Sequence, residues 1–362
     1  MRITKMETAL VDLPLPEPLR TAIHEIKNVC CFLLTLHTDS GLTGEGYGFS
    51  FQMNRLKAIR DFTLSLENLV IGRDPHDVEK IWADIQRALN FYGQAGVAVL
   101  ATNPIDLACW DLIGKAAGQP LYRLFGACRD RVPVYASGGL WLSSDCEALA
   151  REARSFRAQN FRAMKLRLGS PRWQDDIARV EAVRDAIGPD IALMVDANQG
   201  LNEARALRLG RELERFDLVW YEEPLPTWCD AGHRALAQAL DVPLASGETE
   251  YTAQGIRRMV EHAGIDIMMP DLQRMGGYTE MRRACQYLAV REVPVSPHIF
   301  TEHSLHIVAS SPNATWCEHM PWFSALFAEE MTIDADGMVA LPDRPGIGFT
   351  FDPNKFDKYR LA

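Results

Sequence analysis

A (β/α)8-type barrel (a modified TIM barrel) behind an N-terminal α+β capping domain is the α/β architecture this sequence predicts, and three observations predict it. Eight short apolar runs recur after residue 126, amphipathic helical stretches separate most of them, and the first 125 residues follow a different order, β-rich alternation and then helical periodicity. Strand then helix, repeated, means parallel strands joined by crossovers. With eight strands, closure into a barrel is preferred to an open doubly wound sheet, and no Gly-x-Gly-x-x-Gly opens any of these helices.

In the capping domain, ITKMETALVDLPL and VCCFLLTLHTDSGLTGEGYG read as β-rich runs of a small antiparallel sheet, joined across a polar loop, PEPLRTAIHEIKN. From about Met53 to Ala117 the period becomes helical. Asn103-Pro104 begins a run in which Ile105, Ala108, Cys109, Leu112 and Ile113 fall at helical spacing. The turn-rich stretch GKAAGQPLYRLFGACRDRVP is the best boundary. The expected division is therefore a capping domain over 1–125, a barrel over 126–325, and a C-terminal segment, 326–362, that returns to the capping domain.

The barrel strands are expected at VPVYAS from 132, AMKLRL from 163, ALMVDA from 192, LVWYEEP from 218, PLASGE from 243, DIMMPD from 266, VPVSPH from 293 and TWCEHM from 315. Between them lie stretches such as WQDDIARVEAVRDAIG, NEARALRLGRELERF and GYTEMRRACQYLAVRE, with Ile, Val, Leu and Ala set against charged faces.

Composition narrows the function. The chain has 362 residues, 47% hydrophobic and 24% charged, the profile of a folded globular protein. Its 38 basic and 48 acidic residues give a net charge of −10, which makes nucleic acid and anionic membranes poor partners. MRITKMETALVDLPLP has no apolar secretion core, and no stretch suggests the roughly 18 apolar residues of a spanning helix. Eight cysteines show neither zinc spacing nor disulfide density, so the expected location is the cytoplasm, with ordinary thiols.

Several predicted strands end in a reactive residue: Lys165 and Arg167, Asp196, Glu222 and Glu223, Glu248, Asp271, His298 and Glu318, at steps of 20 to 31 residues. Barrel active sites lie at the C-terminal ends of the strands, where such residues converge. Asp196, Glu222 and Glu248 on consecutive strands would repel one another unless a cation neutralised them, and an all-oxygen set suits Mg2+ better than zinc. Asn198 adds a further oxygen or a supporting hydrogen bond. Adjacent strand residues face opposite ways, so simple pleating lets only one of Glu222 and Glu223 point at the metal. Asp271 beside His298 would fix the tautomer of the ring and raise its basicity. His303 and His306 belong to the following helix and are left out of the site.

In combination MKLRLG, VDANQG, WYEEPLP, SGE, MPDLQRMGG, SPH and CEH, preceded by IDLACWDLIGKAAGQPLYRLFG, resemble the enolase superfamily, mandelate racemase subgroup, over essentially the full length. The resemblance implies abstraction of the proton α to a carboxylate, with the enediolate held by Mg2+. It implies that Asp196, Glu222 and Glu248 bind the metal, the choice of Glu222 resting partly on it. It further implies that Lys165 donates to the substrate carboxylate, that Asp271 and His298 form the base dyad, and that Glu318 hydrogen-bonds the enediolate. A capping loop around Thr21 to Lys27, with His24 as a candidate, would close over the substrate. A homo-oligomer, such as an octamer, is also implied.

The subgroup commonly carries Lys-x-Lys where this chain has Lys165 and Arg167. An arginine pKa of about 13 makes its neutralisation at pH 7 cost roughly 8 kcal/mol, so Arg167 is assigned to binding and charge stabilisation. With one competent base, the expected reaction is dehydration of a sugar acid, aldonate or aldarate, to a 2-keto-3-deoxy acid. The alternatives are a racemase, epimerase or lactone cycloisomerase acting on a hydroxy acid by 1,1-proton transfer, or a non-catalytic binding protein. Arg20 and Lys27 would favour a second substrate carboxylate if they face inward, and Trp141 and Trp322 are further candidates for substrate contact.

Overall fold

A computed structural model describes residues 1–361. The chain begins with a three-stranded antiparallel sheet, Ile3–Arg20, Glu25–Thr38 and Thr43–Ser50, in sequential order. The segment expected as a polar loop is mostly strand. Pairing runs on through a register shift between Pro14 and Leu19 and resumes at Leu19–Ile26, so only Thr21–His24 turn. The prolines sit at that irregularity, where no ladder N–H is needed.

Helices Met53–Leu64 and Val97–Ala117 pack on this sheet, with Val78–Ala88 against the second of them, and together they bury Phe32, Leu34, Leu36, Leu56, Ile81 and Leu112 in one cluster. Pro104 does not open the third helix, as its sequence context suggested, but lies inside it. This helix presses against the strand Thr43–Ser50 closely enough that a Cβ on Gly44 would come within 2.1 Å of the Ala108 carbonyl, and one on Gly46 within 2.2 Å of that of Pro104. Among the described residues it is also the one helix long and apolar enough to cross a membrane, contrary to the expectation that no stretch qualifies, and it is mostly buried in the protein.

The second sheet is parallel and curled. Its strands run in the order Cys317–His319, Arg131–Ala136, Ala163–Arg167, Ala192–Asp196, Leu218–Glu222, Leu244–Ser246 and Ile267–Met268, and Met338–Ala340 pairs antiparallel with Arg131–Ala136. The remaining barrel position, VPVSPH, is no regular strand. Pro294 and Pro297 lack N–H groups, so only isolated bridges form: Val295 with Met268 on one side and with Ala314 on the other, and His298 with Asp271.

Alternation across these strands separates the barrel interior into two levels. Tyr135, Ala163, Met194, Trp220, Ala245, Ile267 and Met269 form one apolar cluster that fills the floor. Two residues further along, the inward positions become Ser137, Lys165, Asp196, Glu222 and Asp271. The C-terminal segment touches both units. Met338–Ala340 extends the barrel sheet, while the Ile347 amide donates to Asp111 and the Phe351 amide to Glu45.

Asp111, fully buried, ties three segments together: its carboxylate accepts from the Glu45 and Ile347 amides at 3.0 Å each and lies 2.6 Å from the Lys115 ammonium. Asp111→Ala strands two buried N–H groups and an ammonium, so stability should fall by about 3 kcal/mol or more. Urea unfolding followed by circular dichroism would read this as a lower midpoint at similar slope, and an unchanged midpoint would contradict it.

Candidate active site

The polar level above the apolar floor draws together the residues that end the strands. Lys165 Nζ stands 2.9 Å from Glu222 Oε1, 3.0 Å from Glu318 Oε1 and 3.7 Å from Asp196 Oδ2, with all four side chains essentially buried. Arg167 lies 3.2 Å from Asp196 and donates to Ser137 Oγ at 3.0 Å. Ser137 in turn donates to Glu318 Oε1 at 2.5 Å, and the Ile299 amide to Glu318 Oε2 at 2.8 Å. On the far side of the mouth, His298 Nδ1 is 2.7 Å from Asp271 Oδ2 and Nε2 is 3.3 Å from Glu248 Oε2. The barrel thus brings Lys165, Arg167, Asp196, Asn198, Glu222, Glu248, Asp271, His298 and Glu318 to one place.

Pleating orients Glu222 as expected, on the same face as Trp220, whose Nε1 donates to Glu222 Oε2 at 3.0 Å. The expectation that Glu223 must therefore point away fails. Its backbone enters the left-handed region, φ 40°, so the chain leaves the strand and carries this carboxylate to the cavity wall as well. Glu223 Oε2 accepts from Gln199, while Oε1 is buried without a hydrogen-bond partner, as is Asn198 Oδ1.

Six carboxyl groups, Asp196, Glu222, Glu223, Glu248, Asp271 and Glu318, thus face three fixed cations, Lys165, Arg167 and Arg274, and one imidazole. The imbalance shows in the acidities. Burial, then repulsion by Asp196, push Glu222 up to about 8 despite Lys165. Burial and repulsion by Glu248 and Asp196 hold Glu223 well above the usual carboxylate range. Burial would also raise Glu318, but Lys165, His298 and Arg167 hold it far below that range. Burial would lower His298, yet Glu248 and the hydrogen bond the ring donates to Asp271 outweigh it and raise the ring to about 9.

The donor chemistry fits a hard divalent cation: oxygens only, an excess of carboxylates, and two buried acceptor oxygens without partners. Among the described residues no group of acids and histidines is drawn into a ready coordination sphere, because Asp196, Glu222 and Glu248 each face a protein cation or imidazole: Arg167, Lys165 and His298. Binding an ion would exchange these partners.

Sequence reasoning missed Arg274. Its backbone amide donates to Asp271 Oδ1 at 2.8 Å and its guanidinium to the Glu248 carbonyl at 2.7 Å, which fixes the dyad relative to Glu248. The MPDLQRMGG run, with a cation three residues past Asp271, was the available signal. The capping domain covers the mouth with Thr21, His24, Phe49 and Phe51 on a cavity of about 110 Å3. That is smaller than the roughly 300–1,000 Å3 of pockets for drug-sized ligands and suits a compact substrate. Trp141 and Trp322 line it, whereas Lys27 is 68% exposed and paired with Glu25, and neither Lys27 nor Arg20 is among the lining residues.

Comparison with known proteins agrees with this geometry. The mandelate racemase / muconate lactonizing enzyme N-terminal domain family matches residues 5–126, and the enolase C-terminal domain-like family matches residues 148–355. The L-talarate/galactarate dehydratase of Salmonella typhimurium is 33% identical over 355 residues, 96% of this chain and 89% of that protein. The 3,6-anhydro-alpha-L-galactonate cycloisomerase of Streptomyces coelicolor is 32% identical over 352 residues, 97% of each. A crystal structure of the Salmonella dehydratase liganded with Mg and L-lyxarohydroxamate superposes with a TM-score of 0.95 at 32% identity, covering 100% of this chain and 93% of that one.

If the acids await a cation, Mg2+ titrated calorimetrically should bind the protein. Glu248→Gln, which removes one donor charge while keeping the shape, should weaken that binding by about tenfold or more. Equal affinity in the two proteins would remove Glu248 from the metal site.

Proposed function

The chain belongs to the enolase superfamily, in its mandelate racemase subgroup, and we propose that it dehydrates a sugar acid to a 2-keto-3-deoxy acid by removing the proton α to the carboxylate. The observation that carries this reading is the asymmetry of bases around the cavity. All three line the cavity, but His298 is an imidazole oriented by Asp271 and 15% exposed, whereas Lys165 and Arg167 are 1% and 5% exposed and fixed as cations in ion pairs. A β-elimination needs one base that can return its proton to the departing hydroxyl. Racemisation needs two.

Removing a proton beside an ionised carboxylate creates a second negative charge, and fixed positive groups must be aimed where it develops. Mg2+, held by Asp196, Glu222 and Glu248, would supply Lewis-acid stabilisation of that charge when bound. Lys165 and Arg167 stand beside the same carboxylates and would hold the substrate carboxylate. His298 Nε2 takes the α-proton, with Asp271 holding Nδ1. Compensating the charge of Glu248 removes the largest influence that raises the imidazole, leaving it nearer neutrality, where a general base works best. In a syn elimination the same Nε2–H then protonates the leaving β-hydroxyl.

One assignment changes. For Glu318 to donate a hydrogen bond to an enediolate it needs a proton, but here both its oxygens accept, from Ser137 and the Ile299 amide, and Lys165 lies 3.0 Å away. We therefore assign Glu318 to positioning Lys165 and Ser137. Asn198, whose amide groups bind Asp196, holds that carboxylate in place.

The second reading, cycloisomerisation or epimerisation, draws on the similarity to the Streptomyces cycloisomerase, which covers 97% of each chain. It would need Lys165 released from Glu222 and Glu318 to act as the second base.

Sugar acids incubated with Mg2+ in D2O separate the two. Keto acid that forms only with metal is the expected result; α-deuterium entering recovered substrate without keto acid would transfer the assignment to an isomerase. His298→Asn should lower turnover by about 10²–10⁴-fold while substrate still binds, and substantial remaining activity would discard this base.

A further inference from the structure

The outer half of the cavity differs chemically from the inner half. An aromatic run crosses it from the hairpin tip to the barrel: His24 lies 6.2 Å from Phe51, Phe51 5.6 Å from Trp322, and Trp322 stacks within 8° of parallel on Trp141 at 6.1 Å. Phe49 packs on Phe51, and Ile23 and Ile26 complete this wall. Each cation that lines the cavity is committed at the inner end. Lys165 is set among Glu222, Glu318 and Asp196. Arg167 is paired with Asp196 and lies over the Trp141 ring at 4.9 Å, and Arg274 is bound to the Glu248 carbonyl beside Asp271.

From this we infer that the substrate is a monocarboxylic sugar acid, an aldonate whose far end carries a hydroxyl or methyl group, and not an aldarate. The inference rests on the sugar-acid reading above and specifies its substrate class. A second carboxylate placed against Ile23, Ile26, Phe51 and Trp322 would lose water and gain no fixed cation. A terminal hydroxymethyl or methyl group, by contrast, sets C–H groups against the aromatic faces, and His24 offers a hydrogen bond at the rim. Arg20 and Lys27, the hairpin cations that could have served a second carboxylate, lie outside the cavity lining. Thr21 does not substitute for them, because its hydroxyl, held in the turn by the Ile23 and His24 amides, carries no positive charge.

Matched pairs of equal configuration test this, such as galactonate with galactarate and gluconate with glucarate, each in Mg2+. Their Kd values are measured by calorimetry on the His298→Asn protein, which does not consume them, and their kcat/KM values on the wild type. In the pair of preferred configuration the monoacid should lead by about tenfold or more in both measures. Ile23→Arg, at a half-exposed position with room for the longer side chain, should narrow that ratio by helping the diacid alone. Equal or tighter binding of the diacid, or no binding by either acid of any pair, overturns the inference. Monoacid binding without keto acid in the wild type would leave the preference standing and overturn dehydration instead. Should His298→Asn fail to fold, the wild-type KM ratios give the same ranking.

Discussion

An incompletely compensated cluster of carboxylates at the mouth of an otherwise apolar barrel is the constraint on which the rest of this structure depends. Buried like charges cost so much that a chain tolerates them only when counter-charges are supplied. Here Lys165 and Arg167 on one strand compensate Asp196, Glu222 and Glu318 on three others, while His298 stands between Asp271 and Glu248. Even so, Glu222 and Glu223 are held above the usual carboxylate range. A divalent ion held by the acids would supply that counter-charge and would leave Lys165 and Arg167 to take the added charge of a substrate carboxylate.

The architecture serves this cluster by dividing labour between floor and lid. Trp220, Tyr135 and Met194 fill the barrel beneath the charges and keep water from reaching them from below. The capping domain seals them from above and is held by a few specific ties. Gln273, two residues past Asp271, accepts from the Phe49 amide at 2.7 Å and donates to the Phe49 carbonyl at 3.2 Å, so the strand that carries the aromatic wall is anchored to the segment that carries the dyad. Substrate selection and proton transfer thereby share one mechanical connection.

Much of the site was legible in the sequence because a barrel repeats a simple rule. Each strand is short, its inward positions alternate, and its last inward position is polar, so Lys165, Asp196 and Asp271 could be placed from spacing, and Glu222 from spacing together with the family resemblance. What escaped was whatever broke that rule. Glu223 turns inward through a left-handed backbone that alternation does not encode. VPVSPH lost regular strand geometry to its two prolines, yet kept His298 in place through the hydrogen bond its amide donates to the Pro270 carbonyl. Pro16 and Pro18 suggested a loop but fell beside a register shift, and Pro104 suggested a helix start but lay within a helix supported on both faces. Local propensity lost to tertiary packing in each case. Arg274 was visible as a residue but not as a partner, since its role depends on the position of a backbone carbonyl 26 residues earlier in the chain.

The central claim is that Asp196, Glu222 and Glu248 hold a divalent ion whose charge the carboxylate cluster requires. A crystal structure grown with Mg2+ and a non-reacting sugar-acid analogue tests it most directly. The account predicts an ion held by Asp196, Glu222 and Glu248 at about 2.0–2.1 Å, with Lys165 moved from Glu222 onto the analogue and His298 Nε2 parted from Glu248. If the analogue were bound while Lys165 and His298 kept their present partners and no ion lay among the three acids, the account would be contradicted.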